Sequence, residues 1–233
     1  MSKVLIEMES IGFKYPKSKN YALQNINLSI KEGDYVAITG TSGSGKSTLL
    51  SILGLITPPT IGNYLILERN TLNLTDKSKS LLKNNEIGFV FQNFNLLSHL
   101  NIYDNVALPL SYNPLIKRKD YLEKVQTALE LVGMNDYIER NPTQLSGGQQ
   151  QRIAIARALV NEPSLILADE PTGNLDSENS ERIFQLLEQL NHVGKTICLI
   201  THDSSYAKKA KKRFHIKDGM LCPQLSKSNE LVA

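Results

Sequence analysis

The sequence predicts an α/β fold, a mainly parallel sheet covered by helices on both faces and interrupted by a helical insertion. Three observations predict it. Short apolar runs recur: YVAIT at residues 35–39, IGFVFQ, SLILADE and KTICLI. Helical stretches alternate with them, KSTLLSILGLI after the first and the amphipathic SERIFQLLEQLN between the last two. Strands that are apolar on both faces need helices on both faces, and such strands pair in parallel. Between residues 93 and 143 the texture is instead helical, with little β-character.

Taken in order, VLIEMESIGFKY and QNINLSI read as strands by alternation and β-forming residues. YVAIT is a buried strand that runs straight into Gly40. The helix after it carries apolar residues at helical spacing and is expected to end before Pro58 and Pro59. NYLILERN reads as a strand reaching a turn at Asn70, a residue type that tolerates positive φ. NIYDNVALPL and YLEKVQTALELVGM form the helical insertion. AKKAKKRF, with Lys208, Lys209, Lys211, Lys212 and Arg213, reads as a solvated helix end, contact with acidic lipid headgroups being the alternative.

The chain has 233 residues, a net charge of +3, 41% hydrophobic and 21% charged residues. That is ample for a sizeable core. The charge is too mild to point to nucleic acid, and none is expected as a partner. Cys198 lies in the apolar run TICLI and reads as a buried structural thiol; Cys222 has no metal-type spacing to it. MSKVLIEMES lacks the apolar core of a signal peptide, and no apolar run approaches the roughly 20 residues that span a bilayer. A membrane role is therefore expected to come through a partner.

Three stretches carry chemistry. GTSGSGKS satisfies G-x-x-x-x-G-K-[ST] with Gly40, Gly45, Lys46 and Ser47. Glycines let backbone amides curl round a polyphosphate, and the following helix turns its positive end to the anion. Lys46 adds a charge for the β- and γ-phosphates, and the Ser47 hydroxyl suits Mg²⁺. Alone, this motif predicts a nucleoside triphosphate. LILADE ends a buried strand with Asp169, placed to hold Mg²⁺, and Glu170, able to polarise an attacking water. SGGQQQRIAIARALV is a second glycine-rich turn opening a helix, and so a second anion site.

Leu145-Ser146-Gly147-Gly148-Gln149 resembles the signature motif of ABC ATPases, and it lies between the first loop and SLILADE as it does in that family. The resemblance runs from about Val4 to Leu221. It implies a P-loop NTPase core of ABC ATPase type, with an N-terminal antiparallel β part and an inserted α-helical subdomain. The boundaries it suggests are 1–92 and 145–221 for the core, 93–144 for the helical subdomain and 222–233 for a tail. It implies ATP and Mg²⁺ as cofactors, and a head-to-tail dimer in which each signature closes over the other subunit's ATP.

Residue by residue, the resemblance aligns Tyr15 with the aromatic that stacks on adenine. The loop Gly40, Thr41, Ser42, Gly43, Ser44, Gly45, Lys46, Ser47 and Thr48 aligns with the phosphate cradle. Ser146, Gly148 and Gln149 would meet the partner's nucleotide. Gln92 aligns with the glutamine that touches metal or water, with Ser47 and Asp169 as the other metal residues. Asp176 aligns with the aspartate that crosses the dimer, a helix N-cap being the plainer reading. His202 aligns with the switch histidine beside the γ-phosphate, and Glu170 with the residue that orients water.

FVFQNFNLLSHLNIYDNVALPL and LADEPTGNLDS resemble the subgroup of LolD, MacB and FtsE type, the ATPases of lipoprotein release, macrolide or peptide export and cell division. Thr41 stands where that group commonly has proline, and the turn near Asn70 lacks its usual glycine. The implied function is to energise a membrane transporter by ATP-driven dimer closure. The implied partners are a transmembrane permease and a second copy, with room for a periplasmic or extracellular adaptor. The implied place is the cytoplasmic face of the bacterial inner membrane. DNA-repair ABC ATPases, with long coiled-coil or zinc insertions, and translation-associated ones, usually with two motif sets per chain, fit this sequence less well.

Overall fold

The computed structural model describes residues 3–223, so the tail expected over 222–233 lies outside the described residues from position 224 on. The order is β1 (Val4–Phe13), β2 (Leu23–Lys31), β3 (Tyr35–Gly40), α1 (Lys46–Leu53), β4 (Ile61–Ile66), β5 (Arg69–Asn70), α2 (Asp76–Glu86), β6 (Ile87–Val90), α3 (Ile102–Ser111), α4 (Tyr121–Leu131), α5 (Gly147–Leu159), β7 (Leu165–Asp169), α6 (Ser177–His192), β8 (Thr196–Ile200), α7 (Ser204–Ala207), β9 (Lys212–Lys217) and β10 (Met220–Pro223). Backbone contacts divide the chain into two compact units. One comprises the residues up to Asn73 and those from Cys198 on; the other is Leu74–Ile197.

In the first unit an antiparallel sheet runs β2-β1-β4-β5. Its period-2 patterning sets one buried row, in which Ile6 faces Ile30 and Ile66, and Met8 faces Leu28 and Tyr64. The Tyr64 hydroxyl donates to the Leu53 carbonyl at 2.7 Å, satisfying one of the last carbonyls of α1. The same unit orders its other strands β10-β9-β3-β8. β3 is buried along its length apart from Gly40 and pairs in parallel with β9. β9 and β10 form a hairpin in which Lys217 faces Met220. Its two turn residues, Asp218 and Gly219, both have positive φ (48° and 74°), the type I′ geometry that Asp-Gly favours.

In the second unit β6 and β7 pair in parallel, from Ile87 opposite Leu165 to Val90 opposite Ala168. β6 passes α5 at backbone contact: a Cβ on Gly88 would lie 2.3 Å from the Ala158 carbonyl oxygen. α5 buries Ile153, Ala154, Ile155 and Ala156, and α6 buries Ile183, Phe184 and Leu187. α3 is set by Asn101, whose side chain caps its first turn, and by Asn105. Asn105 is fully buried because the Leu97, Leu100 and Asn101 carbonyls and the Leu97 amide take up its amide group.

α1 ends before the prolines, at Leu53: Gly54 caps it, Leu55 turns left-handed (φ 55°), and the next two amides fold back onto the Ser51 carbonyl. Other sequence expectations are corrected. The turn after β4 is made by Leu67 and Glu68, both with positive φ, while Asn70 lies in β5 and bonds Asn63 and the Leu72 amide. The basic run is not one helix end. Lys212 and Arg213 begin β9, and the Lys212 ammonium sits 2.6 Å from Asp34. α2 buries only Leu82, so its sequence shows no apolar stripe.

Candidate functional site

The first glycine loop joins β3 to α1 within the first unit. Gly43 and Gly45 have φ of 76° and 109°, and a Cβ on Gly45 would lie 2.9 Å from the Ala22 carbonyl oxygen. Only glycine fits there. α1 begins at Gly45 with no capping side chain and no acidic residue in its first turn. Its first amides have no intrahelical acceptor, so the helix presents donors and the positive end of its dipole. The Lys46 ammonium folds back over the loop and donates to the Gly40 and Thr41 carbonyls, both at 2.8 Å. The Ser44 hydroxyl is buried without a partner among the described residues. These are the features of a cradle for an anion.

The loop opens on a cleft of about 600 Å³ lined by Tyr15, Asn20, Tyr21, Ser42, Lys46 and Asp218 among others. Tyr15 is 52% exposed, which excludes a core role. Its hydroxyl lies 2.9 Å from Thr48 Oγ1 and its ring meets Phe13 edge-on at 4.9 Å, so one face stays turned to solvent. Ser47 is exposed beside it, next to Lys46. His202 leaves the same edge of the sheet as the loop, because the Thr201 amide donates to the Ile38 carbonyl. Asp203 caps the short α7; the Ser205 hydroxyl bonded to its carboxylate holds that group below its ordinary pKa, with neighbouring His202 adding to the effect.

The second unit holds the other predicted residues. The parallel register ends with Val90 opposite Ala168, so Gln92 emerges beside Asp169 and Glu170 at the C-terminal ends of β6 and β7. Glu170 has a φ of 44°, and the Gly173 amide closes a turn onto its carbonyl at 3.0 Å. Gln92 is locked from the far side of that turn. Its Nε2 donates to Asn174 Oδ1 at 3.3 Å, while Asn174 Nδ2 donates to the Gln92 carbonyl and to Asn93 Oδ1. A Cβ on Gly173 would collide with the Gln92 side chain at 2.6 Å.

The second glycine loop opens α5 with a reciprocal cap between Ser146 and Gln149. Gly148 lies against the Asn179 side chain, where a Cβ would stand 2.4 Å from Oδ1. Asp176 caps α6, accepting from the Asn179 amide at 2.8 Å and the Asn179 side chain at 2.7 Å, and those bonds keep its carboxyl below the ordinary range. The N-cap reading of Asp176 is thus met. The structure therefore gathers Tyr15, the first loop and His202 in one unit, and Gln92, Asp169, Glu170, Ser146, Gly148, Gln149 and Asp176 in the other. Sequence reasoning missed Asn174, Gln151 and Arg157. The last two bond the backbone beside Gln92 and lie in the SGGQQQRIAIAR run itself.

Comparison with known proteins bears on what this arrangement is. The family described as ABC transporter matches residues 23–173. The chain belongs to that ABC transporter ATP-binding family. It is 47% identical over 212 residues to the uncharacterized ABC transporter ATP-binding protein YvrO of Bacillus subtilis, covering 91% of this chain and 92% of that one. It is 47% identical over 224 residues to the macrolide export ATP-binding/permease protein MacB of Syntrophobacter fumaroxidans, 94% of this chain but only 31% of MacB. Among solved structures it resembles the ATP-binding cassette MJ0796 in a dimeric post-hydrolysis state bound to ADP and Pi, with a TM-score of 0.84, 40% identity, and coverage of 94% of this chain and 98% of that one.

As an ABC ATPase cassette, the chain combines the antiparallel sheet and the parallel strand pairs of that fold with the helices described above. No helix among the described residues is long and apolar enough to cross a membrane. The donor sets suit the expected cofactors: in the first unit the glycine amides and Lys46 suit a polyphosphate and Ser47 carries a hard oxygen, and in the second unit Asp169 and Gln92 carry hard oxygens of the kind Mg²⁺ takes.

Proposed function

We propose that this chain is the ATP-binding and ATP-hydrolysing subunit that energises a transporter of the lipoprotein-release or macrolide/peptide-export type, through ATP-driven closure of a head-to-tail dimer. The observation that carries the proposal is the pair of glycine loops, each opening a helix, only one of which is needed to cradle a nucleotide. The uncapped α1 with Lys46 offers a phosphate cradle, and α5 offers a second helix start headed by Ser146. The MacB relative is named an ATP-binding/permease protein for macrolide export, and this chain covers 31% of its length. The reading calls for a transmembrane permease as partner, with a periplasmic or extracellular adaptor beyond it, and for the cytoplasmic face of the inner membrane as the subunit's place.

In this reading Tyr15 stacks on adenine and the loop from Gly40 to Thr48 binds the phosphates by its amides and Lys46. Ser47, Asp169 and Gln92 would hold Mg²⁺, which would supply positive charge against the β- and γ-phosphate oxygens. Glu170 orients and polarises the attacking water, and His202 steadies the γ-phosphate. Ser146, Gly148 and Gln149 of one subunit face the nucleotide of the other, and Asp176 lies at the dimer contact. Catalysis is mostly positioning and electrostatics, so loss of the groups that orient water or close the dimer is expected to lower turnover more than binding. The domain division expected from the sequence, 93–144 as helical subdomain, stays part of this proposal.

The test is to tag Glu170→Gln in its native host, trap it with ATP, solubilise the membranes and identify what is bound. Recovery of a second copy together with a permease of few membrane helices and a large outer domain supports the reading. A many-helix permease with a substrate-binding protein points to an importer, and ribosomal or DNA-repair proteins without a permease overturn the transporter assignment.

A further inference from the structure

Gln151 is fully buried on α5, and its side-chain amide reaches two backbone carbonyls: Phe91 at 3.3 Å and Pro171 at 2.6 Å. Its Oε1 has no partner among the described residues. Burying a primary amide costs free energy unless its donors are used, and here both are spent on main chain. The two carbonyls are not arbitrary. Phe91 directly precedes Gln92, and Pro171 directly follows Glu170. Both lie just past the end of the β6–β7 ladder, where pairing between the strands has stopped at Val90 and Ala168.

The backbone at both places needs holding. Glu170 occupies the left-handed region at φ 44°, which a side-chain-bearing residue keeps only where its surroundings fix it. Phe94 and Asn95, two and three residues past Gln92, are also left-handed, at 57° and 52°. Arg157, six residues along α5 from Gln151, donates to the carbonyls of both, at 2.8 and 2.5 Å. One helix thus grips, through two side chains, the segment that carries Gln92 and the turn that carries Glu170.

We propose that Gln151 is a positioning residue for ATP hydrolysis, tying the backbone carbonyls of Phe91 and Pro171, the neighbours of Gln92 and Glu170, to the helix that begins at the second glycine loop. A shift of α5 then moves both residues together, so the state of the helix start is passed to the water-activating carboxylate through one side chain. The proposal rests on the role given above to Glu170.

The test uses the purified chain, with ATP affinity from a fluorescent ATP analogue, turnover from phosphate release, and thermal melting as the check on folding. Gln151→Met keeps the volume and removes both donors. It is expected to leave ATP affinity within about twofold, since the first loop is built by other residues, and to lower kcat about ten- to a hundredfold. Gln151→Glu supplies the conservative arm. Burial raises a carboxyl's pKa, so its ratio of activity to wild type is expected to climb as pH falls from about 8 to about 6, where the protonated acid regains one donor. The Met variant's ratio stays flat over that range.

Turnover of Gln151→Met within about twofold of wild type overturns the proposal. So does parallel loss of ATP affinity and turnover, which marks a merely structural residue. If the Met variant does not fold, the Glu variant decides alone, and a flat pH ratio there is equally fatal. A wild-type chain that neither binds nor hydrolyses ATP would instead sink the proposed function, and is measured first.

Discussion

Ser146 and Gln149 cap one another. The Gln149 amide donates to Ser146 Oγ at 3.4 Å, and the Ser146 amide donates to Gln149 Oε1 at 2.9 Å. The pair fixes where α5 starts and points the first amides of the helix, at Gly147 and Gly148, out of its end. A rigid helix start is what a loop needs if it is to meet a phosphate it does not itself bind.

Substitution at this start should therefore separate binding from turnover. Ser146→Arg is expected to retain ATP affinity while losing ATP-dependent dimerisation and hydrolysis, the first read by equilibrium binding and the others by light scattering and phosphate release. Full activity in the arginine variant would remove the second loop from the mechanism.

Lys46 is held by the Gly40 and Thr41 carbonyls, so its charge already stands over the loop. Lys46→Ala should weaken ATP binding by about tenfold or more, the scale of losing a charge-assisted hydrogen bond of about 1.5–3 kcal/mol. Isothermal titration checks this, and an unchanged affinity would contradict the cradle.

The thiols should separate cleanly. Cys198 is fully buried on β8, and burial pushes its thiol up to about 12. Cys222, on β10, is exposed. Because the thiolate is the reactive form, a native chain at about pH 8 should give one fast equivalent with a thiol reagent and the second only on denaturation. Two fast equivalents would show that β8 is accessible.

Glu162 receives a hydrogen bond from the Lys124 ammonium at 2.7 Å, and that bond with the charge behind it holds the carboxyl below its ordinary value. A depressed folded pKa stabilises the fold above the unfolded value, and the contribution is lost as pH falls through the folded one. Both partners are partly in solvent, so the pair is worth under about 1 kcal/mol. Lys124→Met should lower the melting temperature by no more than roughly 3 °C near neutrality. The difference should shrink as pH falls below the ordinary carboxylate range and be lost once the folded carboxyl is protonated. A gap that persists at lower pH would assign it to packing by the lysine stem instead.

What the sequence determined by itself was local chemistry and the main rhythm of elements. The spacing of Gly40, Gly45, Lys46 and Ser47 dictates a loop on a helix start, since that backbone cannot be built with larger residues at Gly45. The apolar runs at β3, β7 and β8 declare buried strands because no other partner can hide them. Asp176 was legible as a cap from the helix that follows it. Elements without an apolar pattern were not legible. α2 buries one leucine, and β9 opens on Lys212 and Arg213, whose strand state is imposed by pairing with β3 and by Asp34.

Only the tertiary structure decided what holds the site residues. Gln151 looked like one polar residue among three, and its meaning lies in carbonyls 60 and 20 positions away. The same is true of Asn174 with Gln92, 82 residues apart. Backbone carbonyls have the same chemistry at every position, so nothing in a residue's identity says which of them a buried amide will meet. That choice is made when β6, β7 and α5 pack, and with it the aim of Gln92 and Glu170.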